Sequence, residues 1–202
     1  MLIAPPRPSG MSLIEVLIGL AIMGVLLAIG LPNMALWLNN SQIRTAGETM
    51  LAGLTLARVE AVRRNQIVRF QLVNNLTAGC VIAQAGTSWV VSLDDPTGAC
   101  DQAPSDVAAP RIIQTRSGSE GTTRAVVSAA TAGTVHFNGL GRVTSPGGAA
   151  NMTQLALSNP TGGTCEHVDG GDMRCLRINI SLGGEAKMCD PAVTDPTDPR
   201  RC

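Results

Sequence analysis

The chain has 202 residues, a formal net charge of zero, and a composition that is 45% hydrophobic but only 2% aromatic. This length is typical of one globular domain with an additional segment, because most domains hold ~100–200 residues. Zero net charge gives no long-range field that would attract nucleic acid, and the few aromatic residues leave little for single strands to stack on.

An apolar run near the N-terminus dominates the sequence. Residues 1–10, MLIAPPRPSG, contain three prolines and argue against a helix, whereas Met11 to Leu31 form a continuous apolar run whose only charged residue is Glu15. At a rise of ~1.5 Å per residue, the run is roughly 31 Å long and matches the hydrocarbon core of a bilayer. It is too long for a secretory signal peptide, so we predict one membrane-spanning helix with Arg7 and the N-terminus on the cytoplasmic side.

Glu15 needs a partner in such a helix. An ionised carboxylate in hydrocarbon costs about 2.5–3.5 kcal/mol on insertion scales. Cleavage after Gly10 would create an amine on Met11, about one helical turn from Glu15, and the amine of a neighbouring subunit would serve equally well. An ordinary membrane anchor with a stray carboxylate is the alternative interpretation.

Gly10, the hydrophobic residue after it, Glu15, the apolar run and Pro32 together resemble the N-terminus of the type IV pilins and pseudopilins. The resemblance implies that a prepilin peptidase removes residues 1–10 as a leader and N-methylates Met11. It also implies that Glu15 helps to dock subunits into a filament, and that the helix loses its order near Pro32 on assembly. A simple bend at Pro32 is the alternative, because proline in a helix interior removes a hydrogen bond.

The helical pattern resumes over residues 33–65. Apolar residues recur there at spacings of three and four: Ile43, Ala46, Met50, Leu54, Ala57 and Ala61. We predict one helix from about Leu13 to Asn65, with residues 11–32 in lipid and residues 33–65 amphipathic and packed on a sheet. Four charged residues near its end are expected to form a solvated face: Arg58, Glu60, Arg63 and Arg64. The segment LARVEAVRRN, residues 56–65, resembles the GspH/FimT branch of the minor pilins and pseudopilins.

After residue 66 the pattern changes to the alternation typical of strands. Strands are predicted at 67–73, 80–83, 88–93, 111–113, 125–127, 134–137, 154–157 and 176–182, separated by turns rich in Gly, Pro, Asn and Asp. Short connections favour antiparallel pairing, so the predicted fold class is α+β: a long N-terminal helix packed on an antiparallel β-sheet head, residues 66–202. The resemblance implies that this is the type IV pilin fold, with loops closed by disulfides.

Six cysteines lie in a region expected to face the periplasm: Cys80, Cys100, Cys165, Cys175, Cys189 and Cys202. Their even number favours disulfides, although six cysteines allow fifteen pairings. Pairing each with its neighbour gives Cys80–Cys100, Cys165–Cys175 and Cys189–Cys202, and the last resembles the C-terminal disulfide loop of many pilins. A metal site between Cys165 and Cys175 is the alternative for one pair, but the paired CxxC or histidine ligands of structural zinc are missing.

No enzymatic motif is present, so we expect no catalytic activity, metal or cofactor. The two histidines, His136 and His167, lie in neither a nucleophile-elbow nor a metalloprotease pattern, and there is no phosphate-binding loop of the G-x-x-x-x-G-K-[ST] type.

Three functions stay open. The first is a minor pilin of the inner membrane, head in the periplasm, that helps to initiate a type IV pilus with other pilins. The second is a GspH-type pseudopilin of a type II secretion system. The third is a DNA-binding minor pilin for natural transformation, with candidate contacts Arg177, Lys187, Arg200 and Arg201. Some FimT-like pilins bind DNA through a G-R-x-R tail, but the best match here, Gly184 to Lys187, has the phosphate-repelling Glu185 at the first Arg position.

Overall fold

One long helix precedes nine short strands in the described part of the chain, which is residues 11–168 and 170–202 of the computed structural model. Helix α1 spans Leu13–Arg64, close to the predicted bounds. The strands are β1 Val68–Val73, β2 Ser88–Ser92, β3 Ile112–Arg116, β4 Val126–Ala129, β5 Thr134–Phe137, β6 Val143–Thr144, β7 Gln154–Ser158, β8 Leu176–Ile180 and β9 Ala186–Cys189. The described residues form two compact units, which divide between Trp37 and Leu38.

The strands form two antiparallel sheets rather than the single sheet that we expected. The five-stranded sheet has the order β3-β2-β1-β5-β6, and the four-stranded sheet has the order β4-β7-β8-β9. The α+β class and the helix packed on antiparallel strands are confirmed. Sequence alternation identifies the residues of a strand but does not specify the strand it pairs with, so it could not separate the two sheets.

Two predicted strands differ from the structure. Residues 80–83 form no strand: Val81 and Ile82 are 49% and 42% exposed, and Ile82 makes a single isolated bridge to Val73. The strand predicted at 176–182 ends at Ile180, because a tight turn follows in which the Gly184 amide donates to the Ser181 carbonyl at 2.9 Å. This turn leads into β9, which was not predicted, and neither was β6.

The predicted apolar stripe of the helix is confirmed. All six of its residues are buried: Ile43, Ala46, Met50, Leu54, Ala57 and Ala61. The core opposite them is mostly aliphatic, but both phenylalanines and Trp89 are also fully buried within it. The rings of Phe70 and Trp89 pack with their centroids 5.5 Å apart. Three of the four aromatic residues therefore lie in this core, and Trp37 is exposed.

Two glycines allow α1 to approach both sheets closely. A Cβ at Gly47 would lie 2.6 Å from the Met188 sulfur in the four-stranded sheet. A Cβ at Gly53 would lie 2.7 Å from the Phe70 ring and 3.0 Å from the Trp89 ring in the five-stranded sheet. The absence of a side chain at these positions is therefore what lets one helix cover the two sheets.

The two glycines differ in what surrounds them, and this predicts unequal effects of alanine. Gly53→Ala is expected to lower the free energy of unfolding by about 1–2 kcal/mol, because overpacking against rigid rings costs about 1–3 kcal/mol and exceeds the helix propensity gained. Gly47→Ala is expected to be nearly neutral, because the Met188 thioether can move aside. Urea denaturation followed by tryptophan fluorescence measures both, and equal losses would contradict this packing.

All six cysteines are paired within the head. The disulfides are Cys80–Cys100, Cys165–Cys175 and Cys189–Cys202, which is the pairing of sequence neighbours. Cys80 and Cys100 join a buried cluster with Val73, Val90 and Ile112. This disulfide holds the β1–β2 connection and the loop after β2 against one face of the five-stranded sheet.

Candidate assembly interface

The first unit exposes nearly all of its apolar side chains. Their exposed fractions range from 46% at Val16 to 80% at Met11, and the others between Leu13 and Ile29 fall within this range: Leu13, Ile14, Leu17, Ile18, Leu20, Ile22, Met23, Val25, Leu26, Leu27 and Ile29. The helix is long and apolar enough to cross a membrane. An apolar surface of this size requires a cover of lipid or of other apolar helices.

Glu15 lies in the first turn of this exposed helix. Its backbone amide donates to the Ser12 hydroxyl at 3.3 Å and to the Ser12 carbonyl at 3.1 Å. Its side chain is exposed, and within residues 11–168 and 170–202 its carboxylate has neither an ion-pair partner nor a hydrogen-bond donor. The carboxylate is therefore available to a positive group supplied from elsewhere.

Ser12 is a residue that our sequence-based predictions missed. It caps the helix, since its hydroxyl accepts from the amide three residues later. The spacing Ser12-x-x-Glu15 is the sequence signature of a capping box, and this signal would have identified it. The cap fixes the start of the helix, and hence the position of Glu15 one turn from Met11.

The remaining N-terminal predictions stand as predictions. Gly10 lies outside the described residues, so cleavage between Gly10 and Met11 is untested by the structure. The helix is continuous through Pro32 in the single chain. Loss of helical order at Pro32 during filament assembly therefore stays a prediction.

The charged residues at the end of α1 form a partly buried cluster, and the expected solvated face is wrong for three of the four. Arg58 is half-buried, and its Nε donates to the Gly141 carbonyl at 3.1 Å. Glu60 accepts from Arg63 at 2.7 Å and from Arg64 at 2.7 Å, and its side chain is only 12% exposed. Arg64 also donates to Asp106 at 2.6 Å and is largely buried. The hydrogen bond from Arg63, with that from Arg64, lowers the pKa of Glu60 against the opposing effect of burial.

This cluster predicts a pH-dependent contribution to stability. A lowered pKa in the folded state stabilises the fold above the ordinary value of 4.5 and loses that effect as the pH falls through the folded value. Glu60→Gln is expected to lower the free energy of unfolding by about 1–2 kcal/mol at pH 7 and by much less at pH 3. Urea denaturation at both pH values is the measurement, and a loss that is the same at pH 3 and pH 7 would exclude an ionic role.

The fold places the four candidate DNA contacts in different surroundings. Arg177 and Lys187 project from the same outer face of β8 and β9, because Arg177 pairs with Cys189 and Asn179 pairs with Lys187. Arg200 instead donates to Asp198 at 2.6 Å, which lowers the pKa of Asp198 to about 2. Arg201 lies beside the C-terminal disulfide and makes a backbone bridge to Asp190.

The alternative metal site is not formed. Cys165 and Cys175 are joined to each other, so neither offers a thiolate. Within the described ranges no group of three or more His, Cys, Asp or Glu side chains could hold a metal ion.

Two family models match the chain. The model described as "Type II transport protein GspH" matches residues 46–184, and the model described as "Prokaryotic N-terminal methylation motif" matches residues 6–31. The second match contains Gly10, Met11 and Glu15, and the first contains most of the buried half of α1 and the strands β1 to β8. No curated protein sequence matches the chain.

Two solved structures of type IV minor pilin FimU from Pseudomonas aeruginosa (strain PAO1), in different crystal forms, are similar to this chain. One is 19% identical, covers 72% of this chain and 90% of its own, and has a TM-score of 0.39. The other is 18% identical, covers 73% of this chain and 88% of its own, and has a TM-score of 0.42.

Proposed function

The chain belongs to the GspH family of minor pilins and pseudopilins, and from this premise we propose that it is a minor pilin that helps to initiate assembly of a type IV pilus. In this proposal residues 1–10 are the leader, and the mature chain begins with N-methylated Met11. Residues 11–32 hold it in the inner membrane and later in the filament core, with the head on the periplasmic side. Its partners are the prepilin peptidase and other pilins.

The observation that carries the proposal is the carboxylate of Glu15, which has no partner among the described residues and lies in the exposed apolar part of α1, inside a matched methylation motif. A carboxylate without a counter-charge is costly in lipid. In a filament, the methylated amine of a Met11 supplies the missing positive charge, and neighbouring helices cover the apolar side chains. Insertion of the subunit is thereby coupled to recognition of a chain terminus.

Mass spectrometry of the full chain, purified from cells with and without the prepilin peptidase, tests the first step. We expect the mature protein to begin at Met11 with one added methyl group only where the peptidase is present. Gly10→Val is expected to block removal of the leader, whereas Gly19→Val, within the same apolar run, is the matched control and should be processed normally. A full-length chain that keeps residues 1–10 in peptidase-positive cells would contradict the proposal.

A type II secretion pseudopilin is the second candidate, and the description of the matching family favours it. The three disulfides of the head, and the C-terminal Cys189–Cys202 loop in particular, favour the pilus. Deletion of the chain in its host separates the two. Fewer surface pili of ordinary length with normal secretion support the pilus, and retention of secreted enzymes with normal piliation supports the secretion system.

DNA binding is not part of this proposal. Phosphate contacts require free cations, and Arg200 and Arg174 are engaged with Asp198 and Asp190. Arg177 and Lys187 share one face beside Glu185, whose negative charge repels phosphate.

A further inference from the structure

A polar cavity lies on the face of the five-stranded sheet that points away from α1. It has a volume of about 440 Å³ and is open to solvent. Its polar lining includes Arg69 and Gln71 of β1, His136 of β5, and Asp95 from the loop after β2. Ile82 and Ala132 contribute to its apolar lining. The volume lies in the range of roughly 300–1,000 Å³ that is typical of small-molecule sites.

Two residues that line this cavity each have one buried polar atom without a hydrogen-bond partner among the described residues. The side-chain oxygen of Gln71, a residue only 1% exposed, has no donor, and the Nε–H of Arg69 has no acceptor, within the described residues. The two residues are separated by one position on β1, so their side chains share a face. Unpaired buried polar groups cost about 1–3 kcal/mol each, and such a pair in a cavity indicates a place for a bound group.

The third polar group, His136, adds an acceptor. Asn151 donates from its side-chain nitrogen to Thr144 and Ser145, so its oxygen faces the His136 Nδ1, 2.9 Å away. Nδ1 is therefore the protonated nitrogen, and Nε2 is left with a lone pair. Burial lowers the pKa of His136, which keeps the ring neutral at pH 7.

The charges of the cavity cancel. Arg69 is positive, and Asp95 is negative because hydrogen bonds from Thr97 and Gln71 outweigh burial and lower its pKa. With His136 neutral, the lining has no net charge, so it gives an ionic ligand no compensation for losing its hydration. A ligand must instead accept from Arg69 and donate to Gln71 and His136 within a short distance. A hydroxyl group does both.

We propose that this cavity binds a neutral polyhydroxylated small molecule, a saccharide unit being the chemical class that fits. Its hydroxyls pair with Arg69 Nε, Gln71 Oε1 and His136 Nε2, and its C–H groups lie against the apolar wall that includes Ile82 and Ala132. This site is on the head, and it is independent of the N-terminal helix and of the proposed role in pilus assembly.

NMR titration of the ¹⁵N-labelled full chain tests the proposal. The chain is solubilised in dodecylphosphocholine, because maltoside detergents would themselves supply a sugar. The probes are D-glucose, D-galactose, D-mannose, N-acetyl-D-glucosamine and trehalose, with glycine as the zwitterionic probe and N-methylacetamide as the amide probe. We expect at least one saccharide to shift the Gln71 side-chain amide signal with a Kd below about 10 mM.

Variants of residues inside and outside the cavity test whether the saccharide binds at this site. Gln71→Met is expected to weaken binding at least tenfold, because it removes the buried acceptor that has no donor among the described residues. It also removes the hydrogen bond from Gln71 to Asp95, so binding is compared only for the folded variant. Gln114→Met, the same change on β3 of the same sheet, is the control and should bind normally. If Gln71→Met does not fold, Arg69→Lys, which keeps the charge and removes Nε, takes its place with the same expected loss.

Three outcomes would overturn the proposal. These are that no saccharide shifts the spectrum of the folded chain, that only glycine or N-methylacetamide does so, or that folded Gln71→Met binds the saccharide as tightly as the unmodified chain. None of these outcomes bears on processing at Met11 or on filament assembly.

Discussion

Glu15→Gln is expected to reduce incorporation of the chain into a filament by at least about 100-fold. The substitution keeps the shape of the side chain and removes the charge that, in our proposal, pairs with the Met11 amine of a subunit. Breaking one partner of a buried ion pair costs about 3–5 kcal/mol, and each 1.4 kcal/mol is tenfold in an equilibrium. The measurement is the amount of the chain in sheared pili relative to the amount in the membrane fraction.

Glu48→Gln is the matched control, because it makes the same change in the same helix. Glu48 pairs with Arg44 at 2.9 Å, but both side chains are largely exposed, so the pair contributes little. We expect this variant to enter filaments like the unmodified chain. If Glu15→Gln does so as well, the carboxylate is a stray charge on an ordinary anchor, which is the interpretation that we set aside.

The helix was the most predictable element, and the reason is its period. Ile43, Met50 and Leu54 recur with the spacing of one helix face, and this face is buried as expected. What the period could not show is how closely the helix approaches each sheet. Gly47 and Gly53 have no side chain to contribute to an apolar pattern, and their role becomes visible only when Met188, Phe70 and Trp89 are placed against them.

The sheets were less predictable, because strand pairing is a long-range property. Alternation located most strands within a few residues, but β9 was missed since its residues, AKMC, are weak strand formers. The Gly183-Gly184 pair before it is a hairpin signal that could have revealed it. Residues 80–83 show the opposite error: only Cys80 of this apolar segment is buried in the cysteine cluster, and Val81 and Ile82 are 49% and 42% exposed.

The polar sites also differ in how well they could be predicted from sequence. Glu15 could be identified from sequence, because a lone carboxylate in an apolar run is conspicuous without any structure. The Glu60 cluster and the Gln71 cavity could not be identified, since Asp106 and His136 join them from distant parts of the chain. Local sequence shows a residue's type, whereas burial and unpaired atoms depend on the tertiary fold.

Loss of the Cys80–Cys100 disulfide is expected to be the most destabilising change in the head. Cys80→Ala with Cys100→Ala should lower the free energy of unfolding by about 3–5 kcal/mol, since removal of a native disulfide typically costs 2–5 kcal/mol. Both cysteines are fully buried, and they pack with Val73, Val90 and Ile112, so the change also leaves a cavity in this cluster. Urea denaturation of the oxidised full chain is the measurement.

A comparison with the Cys189–Cys202 disulfide distinguishes the contribution of chain entropy to this stability loss from the contribution of core packing. The two disulfides span 20 and 13 positions, and the chain-entropy model predicts a difference of only about 0.4 kcal/mol between them. Cys202 is exposed, and Cys189, although buried, is not part of the cluster around Val73, so this variant removes one buried sulfur rather than two. We therefore expect Cys189→Ala with Cys202→Ala to cost at least 1 kcal/mol less. Equal losses would mean that loop closure alone, and not the buried cluster, makes the first disulfide important.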